Sequence, residues 1–471
     1  MRQMKMIVVL VVVGVMLAAA SPSSYARKTL KSVLQEEQNE EGTKHGELWA
    51  LLVAGSNDWM NYRHQADICH AYQILHQHGV PDDHIVVMMY DDIAYNVENP
   101  DPGVVINRPN GPNVYVGVPK DYVGRNVTPE VFLKVLSGDA EGVAGMGSGK
   151  VINSGPNDRV FVNMVDHGAP GIFAFPNDYL NATDLANTLL SMRKDRKYKE
   201  MVLYMEACES GSMFQNLLPP DIEVYAVSAA SPHQPSYACY DDSHLHTFLG
   251  DVFSIKWMED SDWENLHRET LKKQFLLVRN EVVTSTVMHW GDLHISHQKL
   301  SRFFGNRNPR HESQNNHLFP PRYYSGPNYD DPCLNSSVPS YDVPIAILKS
   351  RILSAKTSAE KERWEKELGT IRMNRLFAKS VMRNLVRHVT GDEGMLALIT
   401  RPDHYHDIVR WDCHHASVRA LHTNCFHLTK NLYIMRLLYI LVNLCEHGYT
   451  ANQFEDATRS VCTHNTTTAI M

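Results

Sequence analysis

The sequence has 471 residues, 43% of them hydrophobic, and a formal net charge of −8 at neutral pH. This length and composition exclude a disordered chain and a multi-span membrane protein, and they predict two or three domains with hydrophobic cores. The negative charge argues against nucleic acid as a partner.

The chain begins with a stretch typical of a secretory signal peptide. Basic residues precede an apolar run over residues 7–20, and small residues offer cleavage after Ala20 or Ala26. The run is short for a stable membrane anchor, and no later segment supplies the ~18 apolar residues of a membrane span. We predict a signal peptide over 1–26, a short propeptide over 27–46, and a protein of the secretory pathway, in a lysosome or endosome or secreted into an acidic lumen.

Four Asn-X-Ser/Thr sequons fit a glycoprotein made on this route. They lie at Asn126, Asn181, Asn335 and Asn465, and Pro129 weakens the first of them.

The eight cysteines fall into two groups. Cys413, Cys425, Cys445 and Cys462 crowd the C-terminus, where an oxidising compartment favours two disulfides, and three pairings are open. The other four are scattered. Of these we expect Cys69 and Cys239 to be core or loop thiols, and Cys333 has no predicted partner.

Between residues 48 and 230, short apolar runs alternate with amphipathic helical patterns. The runs predict strands at 48–55, 84–90, 158–168, 201–208 and 222–230. The helical patterns lie at 63–79, 128–138 and 181–195. This alternation predicts an α/β domain with a mostly parallel sheet and helices on both of its faces.

Polar segments follow three of these strands, and the carboxyl ends of parallel strands meet at one edge of a sheet. His167 with Gly168 follows the third run, and Cys208 ends the fourth. A thiolate is a competent nucleophile, and a nearby imidazole relays its proton. The backbone N–H groups of Gly168 and Cys208 would then stabilise an oxyanion. The alternative is that Cys208 is an ordinary buried cysteine at the end of a strand.

The C-terminal third changes character. Residues 306–342 are rich in Pro, Asn, Ser and Gly and predict an exposed, cleavable linker. The helical segment 343–388 carries 11 Lys+Arg and 4 Asp+Glu, a net of +7 that leaves −15 on the remainder. It could dock electrostatically on the acidic domain, or these charges could simply be solvated helix faces. Residues 389–471 are predicted to be helical as well.

The 25 histidines cluster in stretches such as "WDCHHAS". No third and fourth ligand stand at workable spacing, so we expect neither a metal site nor a cofactor.

Five stretches in order resemble the legumain family of asparaginyl endopeptidases: "GSNDWMNYRHQADICHAYQIL", "DHGAPGIFAFPN", "YMEACESGSMF", "SYACYDD" and "FLGDVFSIKWMEDSD". The resemblance covers residues 47–305 and extends more loosely to the C-terminus. It implies a caspase-like α/β/α sandwich followed by an all-α, disulfide-bonded prodomain that acts as an intramolecular inhibitor. It also implies a cysteine endopeptidase zymogen, activated by acid, that cleaves protein and peptide substrates after Asn, and after Asp at acid pH, through a thioester. Peptide ligation through the same thioester and a catalytically weak binding protein are the alternatives, and cystatin-type inhibitors are further expected partners.

The resemblance also assigns roles to residues. It implies Cys208, His167 and Asn61 as catalytic, and Arg63, His64, Glu206, Ser236 and Asp251 as the pocket that reads the substrate side chain. It implies the disulfides Cys413–Cys445 and Cys425–Cys462.

Two departures from the family pattern affect these expectations. Pro235 stands where the family has a first pocket serine, so one hydroxyl is missing. The segment "ILSAKTSAEK" lacks the asparagines at which related proenzymes are cut, so we expect self-cleavage within 306–328 instead. The candidate sites there are Asn306, Asn315, Asn316 and Asn328, whereas Pro309 protects Asn308.

Overall fold

In the computed structural model, which describes residues 46–307 and 331–464, the five apolar runs of the sequence become neighbouring strands of one sheet. The predicted signal peptide, nearly all of the short propeptide, linker residues 308–330 and the sequon at Asn465 lie outside the described residues. The strands are β1 (Leu48–Ala54), β2 (Ile85–Met88), β3 (Arg159–Val165), β4 (Gly168–Ala169), β5 (Ile172–Ala174), β6 (Tyr179–Asn181), β7 (Glu200–Glu206), β8 (Val224–Ser228), β9 (Tyr237–Asp242), β10 (Thr247–Asp251), β11 (Met288–Gly291) and β12 (Val338–Pro339).

The main sheet has the order β11-β8-β7-β3-β1-β2, and each neighbouring pair is parallel except β11 with β8. Its register aligns the carboxyl ends of three strands, because Ala54 pairs with Val165 and Val165 pairs with Glu206. The residues that follow β1, β3 and β7 therefore emerge side by side at one edge.

The helices are α1 (Tyr62–Gln77), α2 (Pro129–Ser137), α3 (Ala182–Lys194), α4 (Val252–Trp263), α5 (Leu271–Glu281), α6 (Ser301–Phe304), α7 (Pro332–Asn335), α8 (Val343–Ser354), α9 (Ser358–Thr390), α10 (Glu393–Ile399), α11 (Trp411–Asn424), α12 (Leu432–Met435), α13 (Tyr439–Glu446) and α14 (Ala451–Val461). Within the two described ranges, no helix is both long enough and apolar enough to cross a membrane.

Alternating residues of the strands pack on opposite faces of the sheet, as the period of a strand requires. Leu52 contributes to a cluster with α1, α4 and α5, whereas Leu51 contributes to a cluster with α2 and α3. Helix α2 begins where its sequence predicts, because the Thr128 side chain accepts a hydrogen bond from Val131 N–H. The predicted α/β architecture with helices on both faces is confirmed.

The helical region, residues 343–464, docks on this sheet domain, residues 47–307, mainly through apolar contacts. The hairpin β4–β5 contributes Ala169, Ile172 and Ala174 to a cluster otherwise built from helices α9 to α14. Gly171 sits at the turn with φ +71°, and a Cβ atom there would lie 2.9 Å from the Trp411 ring. The basic segment adds the ion pair Arg351–Glu98 at 2.5 Å. Composition left open whether the basic segment docks electrostatically or is solvated, and the described contact is mainly a buried apolar interface with this ion pair beside it.

The prediction of an exposed linker up to residue 342 is wrong for its last part. Residues 332–335 form α7, and Val338–Pro339 forms β12, which pairs antiparallel with β9. Ser340 and Cys333 are buried. Composition alone misled here, because Pro, Ser and Asn also suit short turns and edge strands.

The expectations for Cys239 and Cys333 are also wrong, because the two residues form a disulfide. It joins β9 to α7 across a sequence separation of 94 residues. The structure also forms Cys413–Cys445 and Cys425–Cys462. Cys69 and Cys208 are free and buried.

Among the described sequons, Asn335 is exposed at the end of α7, while Asn126 and Asn181 are half-buried. Asn181 also donates a hydrogen bond to Asp184 at 2.8 Å. Asn335 is thus the described sequon that is best placed to carry a glycan.

The Cys239–Cys333 disulfide predicts how the chain separates after a cut. A recognition sequence for a specific protease, inserted within residues 308–330, should yield two fragments that stay together on a denaturing gel until reductant is added. In a Cys333→Ser variant they should separate without reductant. Separation of the unsubstituted protein in non-reducing denaturant would contradict this disulfide.

Candidate active site

The edge of the sheet where β1, β3 and β7 end collects the residues singled out from the sequence. Helix α1, which follows β1, begins directly after Asn61 and presents Arg63 in its first turn. His167 follows β3, and Cys208 follows β7 at the same level of the sheet. Ser236 precedes β9, and Asp251 ends β10.

His167 is oriented by Asn61. The Asn61 side-chain N–H donates to the Asn57 carbonyl at 2.9 Å, which turns the Asn61 Oδ1 toward His167. This oxygen lies 2.8 Å from His167 Nε2, so Nε2 carries the hydrogen and Nδ1 holds a free lone pair. Burial and then the Arg63 charge hold the pKa of His167 well below its usual value. A neutral imidazole with a free Nδ1 is ready to accept a proton.

Cys208 is a buried thiol with polar neighbours from Ser236. The Ser236 N–H points at the Cys208 Sγ at 3.4 Å, and the Ser236 Oγ lies 3.7 Å from it. Burial and then the Glu209 carboxylate raise the pKa of Cys208, and the hydrogen bonds of Ser236 only partly offset this. With the helical region in place, the thiol is therefore protonated.

Gly168 lies close to the backbone of the nucleophile candidate. A Cβ atom at this position would stand 2.3 Å from the Cys208 carbonyl oxygen. Only glycine allows β4 and the turn after β7 to approach in this way. The two backbone segments that carry the N–H groups of Gly168 and Cys208 thus face each other.

Arg63 is a fully buried guanidinium with partners on three sides. Its Nε donates to Asp251 Oδ1 at 2.9 Å, and its Nη1 donates to the Met60 carbonyl at 3.2 Å. Its Nη2 donates to the Ser340 hydroxyl at 2.6 Å. The last of these partners comes from outside residues 47–307, so one N–H group of the guanidinium is directed to the segment that contains β12.

Four buried acids surround this cation. Glu206, Asp251, Asp67 and Asp166 all have raised pKa values, chiefly because burial penalises their charge. Ser254 satisfies Glu206 Oε2, but Glu206 Oε1 and Asp251 Oδ2 accept no hydrogen bond from the described residues. Buried acceptors without a donor call for a ligand or water.

His64 fills the layer behind Arg63. Its Nδ1 lies 2.7 Å from the Ser56 hydroxyl, and its Nε2 lies 3.6 Å from Asp251. Burial, followed by the charges of Arg63 and His167, lowers its pKa well below the usual value. His64 thus supports the wall of the pocket as a neutral ring.

The segment that contains β12 runs through this site. Ser340 N–H donates to the Ser236 carbonyl at 2.9 Å, which continues the β12–β9 ladder past the Cys208 thiol. Its hydroxyl reaches Arg63, as described above. An extended peptide added to a strand edge, with one side chain directed into a polar pocket, is a common mode of peptide recognition.

The helical region covers the segment and the thiol. Arg375 pairs with Asp342 at 2.5 Å, and the guanidinium of Arg436 stacks on Tyr341 at 4.3 Å. Arg436 and Glu209 line one cavity, and the Arg436 charge partly offsets the rise that burial produces in the pKa of Glu209. The helical region therefore holds the side chains of Tyr341 and Asp342, which follow Ser340, in place.

The structure brings together all the site residues predicted from the sequence, but it adds groups that the sequence analysis missed. These are Asp67, Asp166, Ser340 and Arg436. The sequence offers a weak signal for Asp166, which directly precedes His167. The sequence offers no signal for Ser340 and Arg436. They are far along the chain from the strand ends that form the site, and only the fold brings them close to it.

Comparison with known proteins shows which family this chain is similar to. Residues 48–306 match the Peptidase C13 family, and residues 366–462 match the legumain prodomain. Legumain of Rattus norvegicus is 46% identical over 427 residues, which cover 90% of this chain and 93% of that protein. The vacuolar-processing enzyme delta-isozyme of Arabidopsis thaliana is 38% identical, over 93% of this chain and 95% of its own length. Hemoglobinase of Schistosoma japonicum is 39% identical, over 90% and 95%. Caspase-1 of Spodoptera frugiperda aligns in structure with a TM-score of 0.34 and 11% identity, over 56% of this chain and 91% of that chain.

The buried thiols predict slow alkylation of the intact chain. Burial raises the pKa of Cys208, and it raises that of Cys69 to about 12, so neither carries much thiolate near neutrality. Iodoacetamide at pH 7.5 should leave both unmodified during the time that free cysteine reacts fully, as peptide mass spectrometry can show. Unfolding in denaturant should expose both. Alkylation of Cys208 in the intact chain at the rate of free cysteine would contradict the described burial.

Proposed function

The chain belongs to the Peptidase C13 family and is a cysteine endopeptidase zymogen, and we propose that it hydrolyses peptide bonds on the carboxyl side of asparagine after acid releases its helical region. The observation that carries the specificity is the Arg63 guanidinium, whose outer N–H reaches a substrate-like segment while two carboxylate oxygens beside it lack donors.

We assign the nucleophile to Cys208 and the proton acceptor to His167. The Cys208 sulfur attacks the scissile carbonyl carbon, its proton passes to His167 Nδ1, and the carbonyl oxygen takes the negative charge near the N–H groups of Gly168 and Cys208. The tetrahedral intermediate collapses as the C–N bond breaks and the departing amine takes the proton from His167. Water then attacks the thioester, the acid is released, and the thiol is restored. The Asn61 contact to Nε2 supports this assignment, because it fixes the tautomer that the first step needs.

An asparagine side chain fits the groups of the pocket. Its carbonyl oxygen would replace the Ser340 hydroxyl on Arg63, and its two N–H donors would meet the acceptors Glu206 Oε1 and Asp251 Oδ2. An apolar side chain would leave these buried groups unpaired, which costs ~10⁴-fold in selectivity at comparable sites. Pro235 removes one hydroxyl from the rim, but none of these donors and acceptors depends on it.

An aspartate side chain would bind this pocket when protonated. The pocket acids have raised pKa values because of burial, so they too become neutral at a higher pH than free carboxylates. Falling pH then removes the repulsion between the substrate carboxylate and the pocket. This supports secondary cleavage after Asp in acid.

Acid release follows more readily from histidines than from carboxylates. Glu209 has its pKa raised by burial, so it takes up a proton on docking and favours the docked state in acid. His414 on α11 behaves in the opposite way. It is fully buried, neither of its ring nitrogens has a hydrogen-bond partner within the described chain, and a Cβ on Gly171 of the sheet domain would lie 3.3 Å from its ring.

Burial and then the neighbouring His415 lower the pKa of His414 to about 3. After release, the histidine has its usual pKa of ~6.5 and takes up a proton in mild acid, whereas in the docked state it stays neutral. The stabilising effect of the neutral ring is therefore present above pH ~6.5 and declines as pH falls toward 3, by ~3 kcal/mol at pH 4.5. His422, which contacts Tyr179 of the sheet domain, has its pKa lowered by burial and by His427 and acts in the same direction.

These properties suit an acidic lumen of the secretory or endolysosomal route. Protein substrates, the helical region as inhibitor, and glycans at the described sequons belong to this proposal, as do cystatin-type inhibitors. Histidine protonation drives release in this proposal, because the raised pKa of Glu209, beside the nucleophile, makes protonation of that carboxylate favour the docked state.

The proposed activity is tested with Ala-Ala-Asn and Ala-Ala-Asp amide substrates. Acid-treated protein should cleave the Asn substrate at pH 5.5, and a Cys208→Ala variant should not. Cleavage of the Asp substrate should rise relative to Asn as pH falls from 7 to 4.5, because the carboxyl groups become neutral. Equal turnover with and without Cys208 would overturn the nucleophile, and a pH-independent Asp rate would overturn the pocket assignment.

A His414→Gln variant should need more acid for activation, because glutamine stays neutral at every pH. The pH at which half of the proenzyme becomes active should fall by on the order of half a unit. His388→Gln on α9 is the matched control, since His388 is exposed, and the melting temperature at pH 7.5 should establish that both variants are folded. An unchanged or higher midpoint in a folded His414→Gln protein would refute the histidine mechanism.

Processing positions give a separate test of the specificity. Intact-mass analysis of the reduced protein after acid treatment should place the new C-terminus within 306–328. A Ser340→Asn variant should acquire a further cut after residue 340, because asparagine then occupies the Arg63 contact, whereas Ser340→Ala should not. A mature C-terminus within 345–388 would refute self-cleavage in the linker.

A further inference from the structure

Three histidines of the helical region converge although they are far apart in sequence. His404 and His406 lie in the connection between α10 and α11, and His447 directly follows α13. One ring nitrogen of each lies within 4.8 Å of the other two. The ring centroids are 4.7 Å apart for His404 and His406, 5.0 Å for His406 and His447, and 5.5 Å for His404 and His447.

These separations match those of imidazoles around one tetrahedral ion. With metal–nitrogen bonds of ~2.0–2.1 Å, the ligating nitrogens of two histidines lie roughly 3.4 Å apart and their ring centres roughly 5.2 Å apart. The Nε2 atoms of His404 and His406 are 3.1 Å apart. The third ring lies at similar distances from both. A hydrogen bond between the first two rings alone would not explain its position.

A second layer of hydrogen bonds orients the triad. The His447 Nδ1–H donates to the Asn443 carbonyl at 2.9 Å, so its Nε2 keeps a lone pair. The fully buried Asn443 side chain also donates to the His404 carbonyl at 2.8 Å, which ties the two parts of the triad together. A backbone carbonyl that accepts the far N–H of a ligating histidine is the usual support of a metal site.

The segment that carries two of these histidines also contacts the sheet domain. Tyr405 stacks on His233 with ring centroids 5.3 Å apart. Asp407 accepts hydrogen bonds from His233 at 3.1 Å and from Gln215 at 3.0 Å. Histidines therefore alternate along residues 404–407 with side chains that hold the sheet domain.

We propose that His404, His406 and His447 bind one divalent transition-metal ion, Zn²⁺ first among them, and that the ion fixes residues 404–407 in the docked position. Three neutral imidazoles with no thiolate and no ligating carboxylate suit Zn²⁺, Cu²⁺ or Ni²⁺ rather than Ca²⁺ or Mg²⁺. Water would complete the coordination. The ion would thereby stabilise the zymogen, and the expectation of no metal drawn from sequence spacing would be overturned.

The test uses the full-length proenzyme with Cys208→Ala, so that neither self-cleavage nor the thiol affects the result. After removal of metals with a chelator, titration with Zn²⁺ at pH 7.5 should show one ion per chain and a rise in melting temperature. Co²⁺ should give the visible absorption bands of a low-coordinate histidine site. Mg²⁺ should do neither.

His447→Ala and the pair His404→Ala with His406→Ala should lose the Co²⁺ bands and the Zn²⁺-dependent rise. His388→Ala is the matched control, because it removes an exposed histidine from α9 outside the triad. In the active protein, Zn²⁺ should slow acid activation at least severalfold, and His447→Ala should abolish that effect. Equal Zn²⁺ uptake by the triad variants would overturn the site and point to His64, Asp166 and His167 instead. Binding at the triad with no effect on melting temperature or activation would overturn the docking role.

Discussion

The ion pair of Arg63 with Asp251 organises the site, because it places one permanent cation among acids in a fully buried position. Both side chains are buried, so separating them would strand a charge, at a cost of ~3–5 kcal/mol. Asp251 is the last residue of β10, and Arg63 lies in the first turn of α1, so the pair fixes the end of a strand against the start of a helix. The same guanidinium offers its remaining N–H groups to whatever occupies the cleft. Structural cohesion and recognition of a polar side chain thus depend on one group.

The helical region can dock closely because the hairpin β4–β5 has a glycine, and therefore no side chain, at its turn. Gly171 has no side chain, so Trp411, Ile408 and His414 pack directly on its backbone. This close approach excludes water from His414, which is why its pKa is depressed. An apolar interface is insensitive to pH by itself. One uncompensated histidine inside it makes it sensitive, since the neutral ring is tolerated and the charged ring is not.

The sequence predicted the sheet, its flanking helices and the residues at the strand ends, because each depends on local periodicity and on the rule that parallel strands end at one edge. It did not predict the partner of Cys239, since any of several distant cysteines satisfies the same composition. It did not predict the burial of Ser340, because a short strand such as β12 has too few residues to show a period. The sequence also did not predict whether acid strengthens or weakens docking of the helical region. The effect of acid depends on which titratable side chain the fold buries, and neither Glu209 nor His414 differs in the sequence from an exposed residue of the same type.

The segment that contains Ser340 makes few hydrogen bonds to the pocket but is joined covalently to the sheet domain. A serine hydroxyl satisfies Arg63 but reaches neither Glu206 Oε1 nor Asp251 Oδ2, whereas a larger amide side chain would satisfy all three. Hydrogen bonds to charged groups contribute ~1.5–3 kcal/mol each, so the resident segment binds the pocket less well than a substrate would. The Cys239–Cys333 disulfide compensates by holding the segment next to its site, which raises its effective concentration. The segment therefore occupies the pocket through its attachment, by the disulfide and by the contacts of Arg375 with Asp342 and of Arg436 with Tyr341, rather than through its affinity for the pocket groups.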